Sequence, residues 1–465
     1  MGVHTTPVVP NGEGSVEQKS MPLVEGGMEV VGRMHVFGDE GQVYVVANTS
    51  AALDQGGETI WEDKKVGRYD AYDAGAQMLF FAPDGAVIFI QMPADRLTED
   101  ATQAAARNFS LSVESMRALG IQKQVGVQFV ANIHDALVEA ASQGPVRVAP
   151  MFPSVRTLGK EHEAAIAAAR FNNKPEFIRA LQAEGIRTPV TVFYDVERNP
   201  ENGFPTPEEL IEIAEQEGSD ALFFKQDVSA AGFGVERVAI DDPAKVREVY
   251  EKWVKKMQDT REQESTEWDF HIQVGETGIS MRDGSIESPC VIGTIADNGE
   301  VEILQVANQR LKNGVNHIGN VIDPEFEAEF LAKHGEEMKK VFRVLAANGV
   351  RGHIGIDTIV LEGDELSFIE VNPRLNGNSV LRIVRDNLPE GTPVVSNNSI
   401  KPTQVGVENL ERLREFFYDE SNPNRPAIVI TRAPRFPGDA INLVFMNDEG
   451  HELEKQVEHL LTLAA

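Results

Sequence analysis

Two short stretches, Gly355-Ile-Asp357 and Phe368-Ile-Glu370-Val-Asn372-Pro-Arg374, carry residue types that could do chemistry together. Between them runs Glu362-Gly-Asp-Glu365. Glycine and aspartate at the centre of that turn suit a two-residue hairpin loop. A Gly363-Asp364 loop sets Asp357 directly opposite Glu370, with Cβ atoms ~5 Å apart, and Asn372 shares the face of Glu370. The flanking Ile354, Ile356, Ile359, Phe368, Ile369 and Val371 are apolar, so the pair is expected to be partly buried. Two carboxylates that close repel strongly unless a cation neutralises them. Oxygen donors with no His or Cys directly beside them favour Mg²⁺, which keeps positions for water and phosphate oxygens. A nucleotide is then the expected co-ligand. The alternatives are two solvated carboxylates, or a pair sharing one proton. Arg374 could stabilise charge developing on a phosphoryl group or an oxyanion; otherwise it makes a surface ion pair.

A second constellation is Lys225, at the end of the apolar run Ala-Leu-Phe-Phe, followed by Ser229-Ala-Ala-Gly232-Phe-Gly234. Small residues let a backbone approach phosphates and point N–H groups at them. A Walker loop or dinucleotide fingerprint must run from strand into helix. Here Val-Glu-Arg-Val-Ala-Ile after the loop alternates at period two, so it reads as a strand and both motifs are rejected. A protein-kinase loop has its lysine after the glycines and further signatures that this chain lacks. Taken alone, the segment could also be a flexible hairpin.

The elements that must position these residues follow from pattern. Residues 1–27 are rich in Gly, Pro and Ser and read as a disordered arm. Residues 42–48, 77–82, 86–92 and 125–130 read as strands, with a Pro83-Asp84-Gly85 turn, and 133–141 and 161–170 as helices. Lys174–Glu184 reads as a helix, then 190–194 as a strand. Thr206-Pro-Glu-Glu209 is a capping box opening a helix that ends near Gly218. Strands are expected at 221–226, 235–240, 269–274, 290–296 and 301–306, and helices at 243–257 and 324–347. Residues 352–361 and 365–371 form the hairpin. Strands at 427–431 and 441–445 and a helix at 452–463 close the chain. Gln309-Arg310-Leu-Lys312-Asn-Gly-Val-Asn-His317 lies between a strand and the long helix and reads as a loop.

Composition sets limits. The chain has 465 residues, a formal charge of −30 and 42% hydrophobic residues, so there is ample material for more than one core. Such acidity argues against nucleic acid or anionic membrane as partners. The single cysteine, Cys290, excludes an internal disulfide and any cysteine-based zinc cluster, and fits a reducing, cytoplasmic setting. It reads as a packed small side chain. No run of 18 apolar residues predicts a membrane span. The acidity also eases locally: residues 303–322 and 372–385 contain no Asp or Glu.

Taken in order, Asn173-Lys174, Lys225, Ser229–Gly234, Gly355-Ile-Asp357 and Glu370-Val-Asn372-Pro-Arg374 resemble the ATP-grasp superfamily over residues 171–390. The N-terminal α/β part, the C-terminal extension and Gln309…His317-Ile-Gly-Asn320 resemble the pre-ATP-grasp carboxylate–amine ligases, including the pheganomycin-type peptide ligases. The resemblance implies an α/β and α+β fold. Its parts would be a disordered arm (1–27), a pre-ATP-grasp-like α/β domain (28–165), an N-terminal or lid subdomain (166–275) and a C-terminal subdomain with extension (276–465). It implies ATP as co-substrate with Mg²⁺, or Mn²⁺ in its place. Lys174 and Lys225 would contact phosphates, with Ser229, Gly232 and Gly234 in the phosphate loop. Gln273 and Val274 would form the adenine hinge. Asp357, Glu370 and Asn372 would hold metal, and Arg374 would sit at an acyl-phosphate. Arg310 and Lys312 would bind γ-phosphate or a substrate carboxylate, and His317 would be a base for the incoming amine or else a structural histidine. The implied reaction couples a small-molecule carboxylate to an amine, releasing ADP and phosphate. The resemblance leaves room for a phosphotransferase, a non-catalytic nucleotide-binding regulator and a homodimer.

Overall fold

The computed structural model describes residues 28–30, 42–46, 79–82, 86–91, 98–122, 125–130, 136, 139–140, 142, 146–150, 163–195, 197, 203–227, 234–262, 269–276, 287–312, 316–400, 412–419, 422–432, 441–446 and 451–462. The arm at 1–27, the Pro83–Gly85 turn and most of 133–141 lie outside them. Two compact units emerge. One comprises 1–168, 319–328 and 374–465; the other comprises 169–318 and 329–373.

In the first unit, β1 (Met28–Val30), β2 (Gln42–Val46), β3 (Val87–Gln91), β4 (Gly126–Val130) and β5 (Val146–Pro150) form a sheet in the order β1-β5-β2-β3-β4. Every pairing is parallel. Between β3 and β4 runs the 20-residue α1 (Glu99–Ala118), which sequence pattern did not mark. Its Ser and Asn content obscures the apolar stripe. Residues 79–81, expected as strand, are helical: Leu79-Phe80-Phe81 is a short apolar run that fits either element.

The second unit begins within α2 (Glu163–Asn172) and continues through α3 (Lys174–Ala183), β6 (Thr191–Val192), α4 (Pro207–Gln216), β7 (Ala221–Gln226), β8 (Val235–Ala239), α5 (Pro243–Glu262) and β9 (Phe270–Val274). The Thr206–Glu209 capping box forms as expected. The antiparallel sheet runs β6-β9-β7-β8. Leu222, Phe224, Phe270, Ile272 and Val274 pack into one core with Leu210, Val246 and Trp253 from α4 and α5. Alternation therefore turns Phe223, Lys225, His271 and Gln273 to the face away from these helices.

Next come β10 (Pro289–Ile295), β11 (Val301–Lys312), β12 (Asn316–Ile322), α6 (Pro324–Ala347), β13 (Gly352–Leu361) and β14 (Glu365–Asn372). Within the second unit the strands run β14-β13-β10-β11. α6 covers one face: a Cβ added at Gly293 would meet the Phe342 ring at 2.5 Å. Val291, Ile354 and Ile356 share that face by register. Asp357 and Cys290, opposite each other, point to the other face.

The expected loop at 309–317 is corrected. β11 extends to Lys312 and β12 begins at Asn316, so Gln309, Arg310, Lys312 and His317 all lie on strands. Polar residues hid the extended pattern there, because one face of this strand is lined by polar groups.

The first unit resumes with α7 (Gly377–Asp386), β15 (Val394–Ile400), β16 (Tyr418–Asp419), β17 (Asn422–Pro426), β18 (Ile428–Arg432), β19 (Ile441–Met446) and α8 (Glu452–Thr462). There β12, β15, β19 and β18 are successive strands. Ile428, Ile430, Leu443 and Phe445 share a core with Val457 and Leu460 of α8 and with Leu111 of α1. The Ser115 hydroxyl of α1 accepts the Ile430 N–H at 3.0 Å.

Candidate active site

Asp357 of β13 and Glu370 of β14 are direct cross-strand partners. The route to that pairing differs from the expected two-residue loop. The turn is Glu362-Gly363-Asp364, with Gly363 at φ 88° and Asp364 at φ 62°, and Leu361 pairs with Glu365. The register then shifts between Asp357 and Thr358: Thr358 faces Phe368, Asp357 faces Glu370, and Ile369 is the extra residue. Without this bulge Phe368 and Glu370, two residues apart, would share a face. The bulge sends Phe368 into the core and re-aims Glu370 to the open side.

A row of same-face residues thus crosses four strands: Glu370, Asp357, Cys290 and Ala307. Cys290 and Ala307 are small and buried, and Gln309 reaches over them. Its Nε2 donates to Asp357 Oδ1 at 2.7 Å, while Asn372 Nδ2 donates to Asp357 Oδ2 at 3.1 Å. Glu370 Oε2 lies 3.6 Å from Lys174 Nζ. That lysine opens α3, is 3% exposed, and donates its backbone N–H to the Asp227 carbonyl at 3.1 Å. The acidic pair is therefore held by one ammonium and two amides.

Lys225 belongs to the same unit. Its ammonium donates to Gln273 Oε1 and lies 5.6 Å from the centre of the Phe223 ring. Burial pushes its pKa down to about 8; Glu370, Glu276 and Asp357 oppose the shift and Lys174 adds to it. Mutual influence of these groups brings Lys174, Lys225, Asp357 and Glu370 into one electrostatic site. Gln273 also donates to Thr191 Oγ1 at 3.3 Å. Val274 is placed differently: its side chain joins the core and its N–H donates to the Val190 carbonyl at 2.9 Å. Glu276, just past β9, is raised by burial while Arg187, 3.5 Å away, opposes.

Ser229 and Gly232 lie outside the described residues. Gly234 has φ 71° and its carbonyl accepts the Gln226 N–H at 2.8 Å, closing the base of the segment between β7 and β8. On β11, Arg310 is half-buried and Lys312 exposed; His317 is half-buried on β12. Arg374 follows Asn372 by two residues and falls in the other compact unit. Sequence reading missed Gln309, Asp227 and His271 as parts of the site. Period-two alternation continued past Val306 would have found Gln309. Placing His271 beside Lys225 requires the β7–β9 register.

The donor set fits a hard divalent cation. Asp357, Glu370 and the side-chain amides of Asn372 and Gln309 all carry oxygen donors. Among the described residues no cluster of three or more His, Cys, Asp or Glu forms a metal cage.

Residues 245–378 match the family described as ATP-grasp domain. Solved structures resemble the fold over most of the chain. An N5-carboxyaminoimidazole synthetase from Staphylococcus aureus, complexed with ADP, superposes with a TM-score of 0.52 at 9% identity, covering 90% of this chain and 96% of that one. Biotin carboxylase from Campylobacter jejuni, as a β,γ-ATP complex, gives 0.51 at 9% identity, covering 87% of each. An ADP complex of N5-carboxyaminoimidazole ribonucleotide synthetase gives 0.50 at 13% identity, covering 90% and 95%. At these identities the likeness is one of fold. Comparison with curated protein sequences gave no match. No helix among the described residues is long and apolar enough to cross a membrane.

Proposed function

We propose that this protein is an ATP-dependent ligase that activates a carboxylate as an acyl-phosphate and couples it to an amine. The observation that carries the reading is the Asp357–Glu370 pair, turned by a bulge onto the face it shares with Gln309 and joined there by Lys174. The match of residues 245–378 to the ATP-grasp domain family and the nucleotide complexes among the structural neighbours support it. When bound, Mg-ATP supplies the phosphoryl group and neutralises charge on its oxygens.

In this reading Asp357, Glu370 and Asn372 hold the metal. Lys174 and Lys225 bind phosphate oxygens, and Gln273 orients the Lys225 ammonium. Partial desolvation of both lysines strengthens their pull on a phosphate. Arg374 stabilises charge on the transferred phosphoryl group, and Arg310 and Lys312 bind the substrate carboxylate or the terminal phosphate. His317 takes the proton from the attacking amine. The finer assignment to a pheganomycin-type peptide ligase carries over as part of the same proposal.

The test is chemical trapping. Incubation with ATP, Mg²⁺ and a panel of carboxylic acids, followed by hydroxylamine, should yield a hydroxamate. A stable phosphorylated product with no hydroxamate across the panel would make the protein a phosphotransferase instead.

A further inference from the structure

Lys225, His271 and Gln273 share one face of the β6-β9-β7-β8 sheet, and Lys225 lies directly opposite His271. His271 is fully buried. Its Nδ1 is 2.7 Å from Asp227 Oδ1. Burial holds the imidazole well below its usual range; Asp227 opposes this, and the charges of Lys225 and Lys174 add to it. A neutral ring keeps its single proton where the carboxylate accepts it, on Nδ1. Nε2 is then a bare lone pair, and it is buried without a hydrogen-bond partner. An acceptor left so costs on the order of 1–3 kcal/mol, and only a donor can relieve it. The register sets one opposite: an ammonium has three N–H groups, and Lys225 spends one on Gln273.

We propose that His271 is a positioning residue for Lys225. Its Nε2 lone pair accepts a second N–H of the ammonium when an anionic ligand draws the lysine into line. The third N–H is left for the phosphate. Asp227 fixes the tautomer that makes Nε2 an acceptor, and its backbone carbonyl also holds the first turn of α3 at Lys174. One residue thus orients both lysines. The inference rests on the nucleotide reading of the site.

Two measurements on the full chain test it. Two-bond ¹H–¹⁵N correlation on histidine-labelled protein at pH 7.5 should show His271, assigned by its absence in His271→Gln, with the proton on Nδ1. A proton on Nε2, or an imidazolium, would overturn the proposal whatever the protein binds. Calorimetric titration with MgADP should then show His271→Phe about tenfold weaker than wild type, the loss of one hydrogen bond to a charged group. His271→Gln, which restores an acceptor oxygen, should recover most of that loss. Asp227→Asn should move the proton to Nε2 and weaken MgADP comparably. Wild-type affinity in a folded His271→Phe, or no recovery in a folded His271→Gln, would overturn this inference alone. Failure of the wild-type protein to bind MgADP would overturn the nucleotide reading and this inference with it.

Discussion

If Lys225 binds nucleotide phosphate as proposed, nucleotide binding should be proton-coupled. Its pKa is about 8 in the ligand-free protein against an ordinary 10.5, with burial the largest cause. That difference corresponds to about 3 kcal/mol of disfavoured charge. The sign follows from which state holds the proton. Below pH 8 both folded and unfolded chains carry the charge, and the full penalty stands. Between 8 and 10.5 only the unfolded chain stays fully protonated, so the ligand-free fold gains stability as pH rises. A bound phosphate reverses the balance, drawing the lysine back to its charged form. At pH 8.5 about a quarter of the free protein carries the Lys225 proton, so binding should take up about 0.75 proton; at pH 7 the uptake falls to about 0.1. At pH 8.5 the nucleotide contributes little, since phosphate groups titrate at about pH 6. Calorimetry of MgADP binding in two buffers of different ionisation enthalpy reads the number directly. Lys225→Arg, whose guanidinium stays charged, should bind without uptake. Binding by the wild-type protein at pH 8.5 with no buffer dependence would refute the desolvated-lysine reasoning.

Three substitutions probe other parts. Glu370→Gln leaves the Lys174 ammonium without its carboxylate; turnover should fall by at least about 100-fold and the ligand-free fold should lose about 2 kcal/mol in urea titration. Near-normal turnover would remove Glu370 from the site. Arg374→Ala should reduce kcat far more than MgADP affinity, as expected of a group that acts on developing charge; equal losses would make it a binding residue. Gly319→Ala would drive a methyl into the Ser396 carbonyl between β12 and β15, beside the bond from the Asn320 N–H to Ser396 Oγ at 2.9 Å. It should cost about 2–3 kcal/mol in the urea unfolding of the first unit, with little effect on MgADP affinity.

Several elements that frame the candidate site were legible because they are local. The capping box at Thr206, the lysine at the end of β7 and the hairpin of β13 and β14 each announce themselves within a dozen residues. The Asp357–Glu370 pairing was reached through an incorrect turn: a three-residue loop slips the register by one, and the Ile369 bulge restores it. Neither departure shows in an apolar stretch such as Phe-Ile-Glu-Val, where the period-two pattern does not distinguish one register from the next. What escaped was non-local. Gln309 matters because β10 presents a small Cys290 for it to cross, and His271 because β9 lies antiparallel to β7. The long α1 was missed for another reason. Ser and Asn interrupt its apolar stripe, and the core that Leu111 shares with Ile428 and Ile430, about 300 residues away in sequence, is not local.

The structure also changes the argument for metal. From sequence, two adjacent carboxylates favoured a cation over solvation or a shared proton. In the fold Asp357 already accepts from Gln309 and Asn372, and Glu370 already has Lys174. The two acids are matched by two lysines, so the ligand-free site is close to neutral. A divalent cation arriving alone must displace two amide donors and approach two buried ammonium groups. Arriving with a nucleotide, it meets lysines drawn onto phosphate oxygens. Mg²⁺ alone should therefore bind weakly, with a Kd in roughly the millimolar range, and at that concentration it should stabilise by only about 0.4 kcal/mol. MgADP at a hundred times its Kd should stabilise by about 2.7 kcal/mol. Thermal melts with Mg²⁺, ADP and both together separate the cases. A large shift with Mg²⁺ alone would mean that the carboxylates wait for a metal after all, and that Lys174 does not neutralise Glu370.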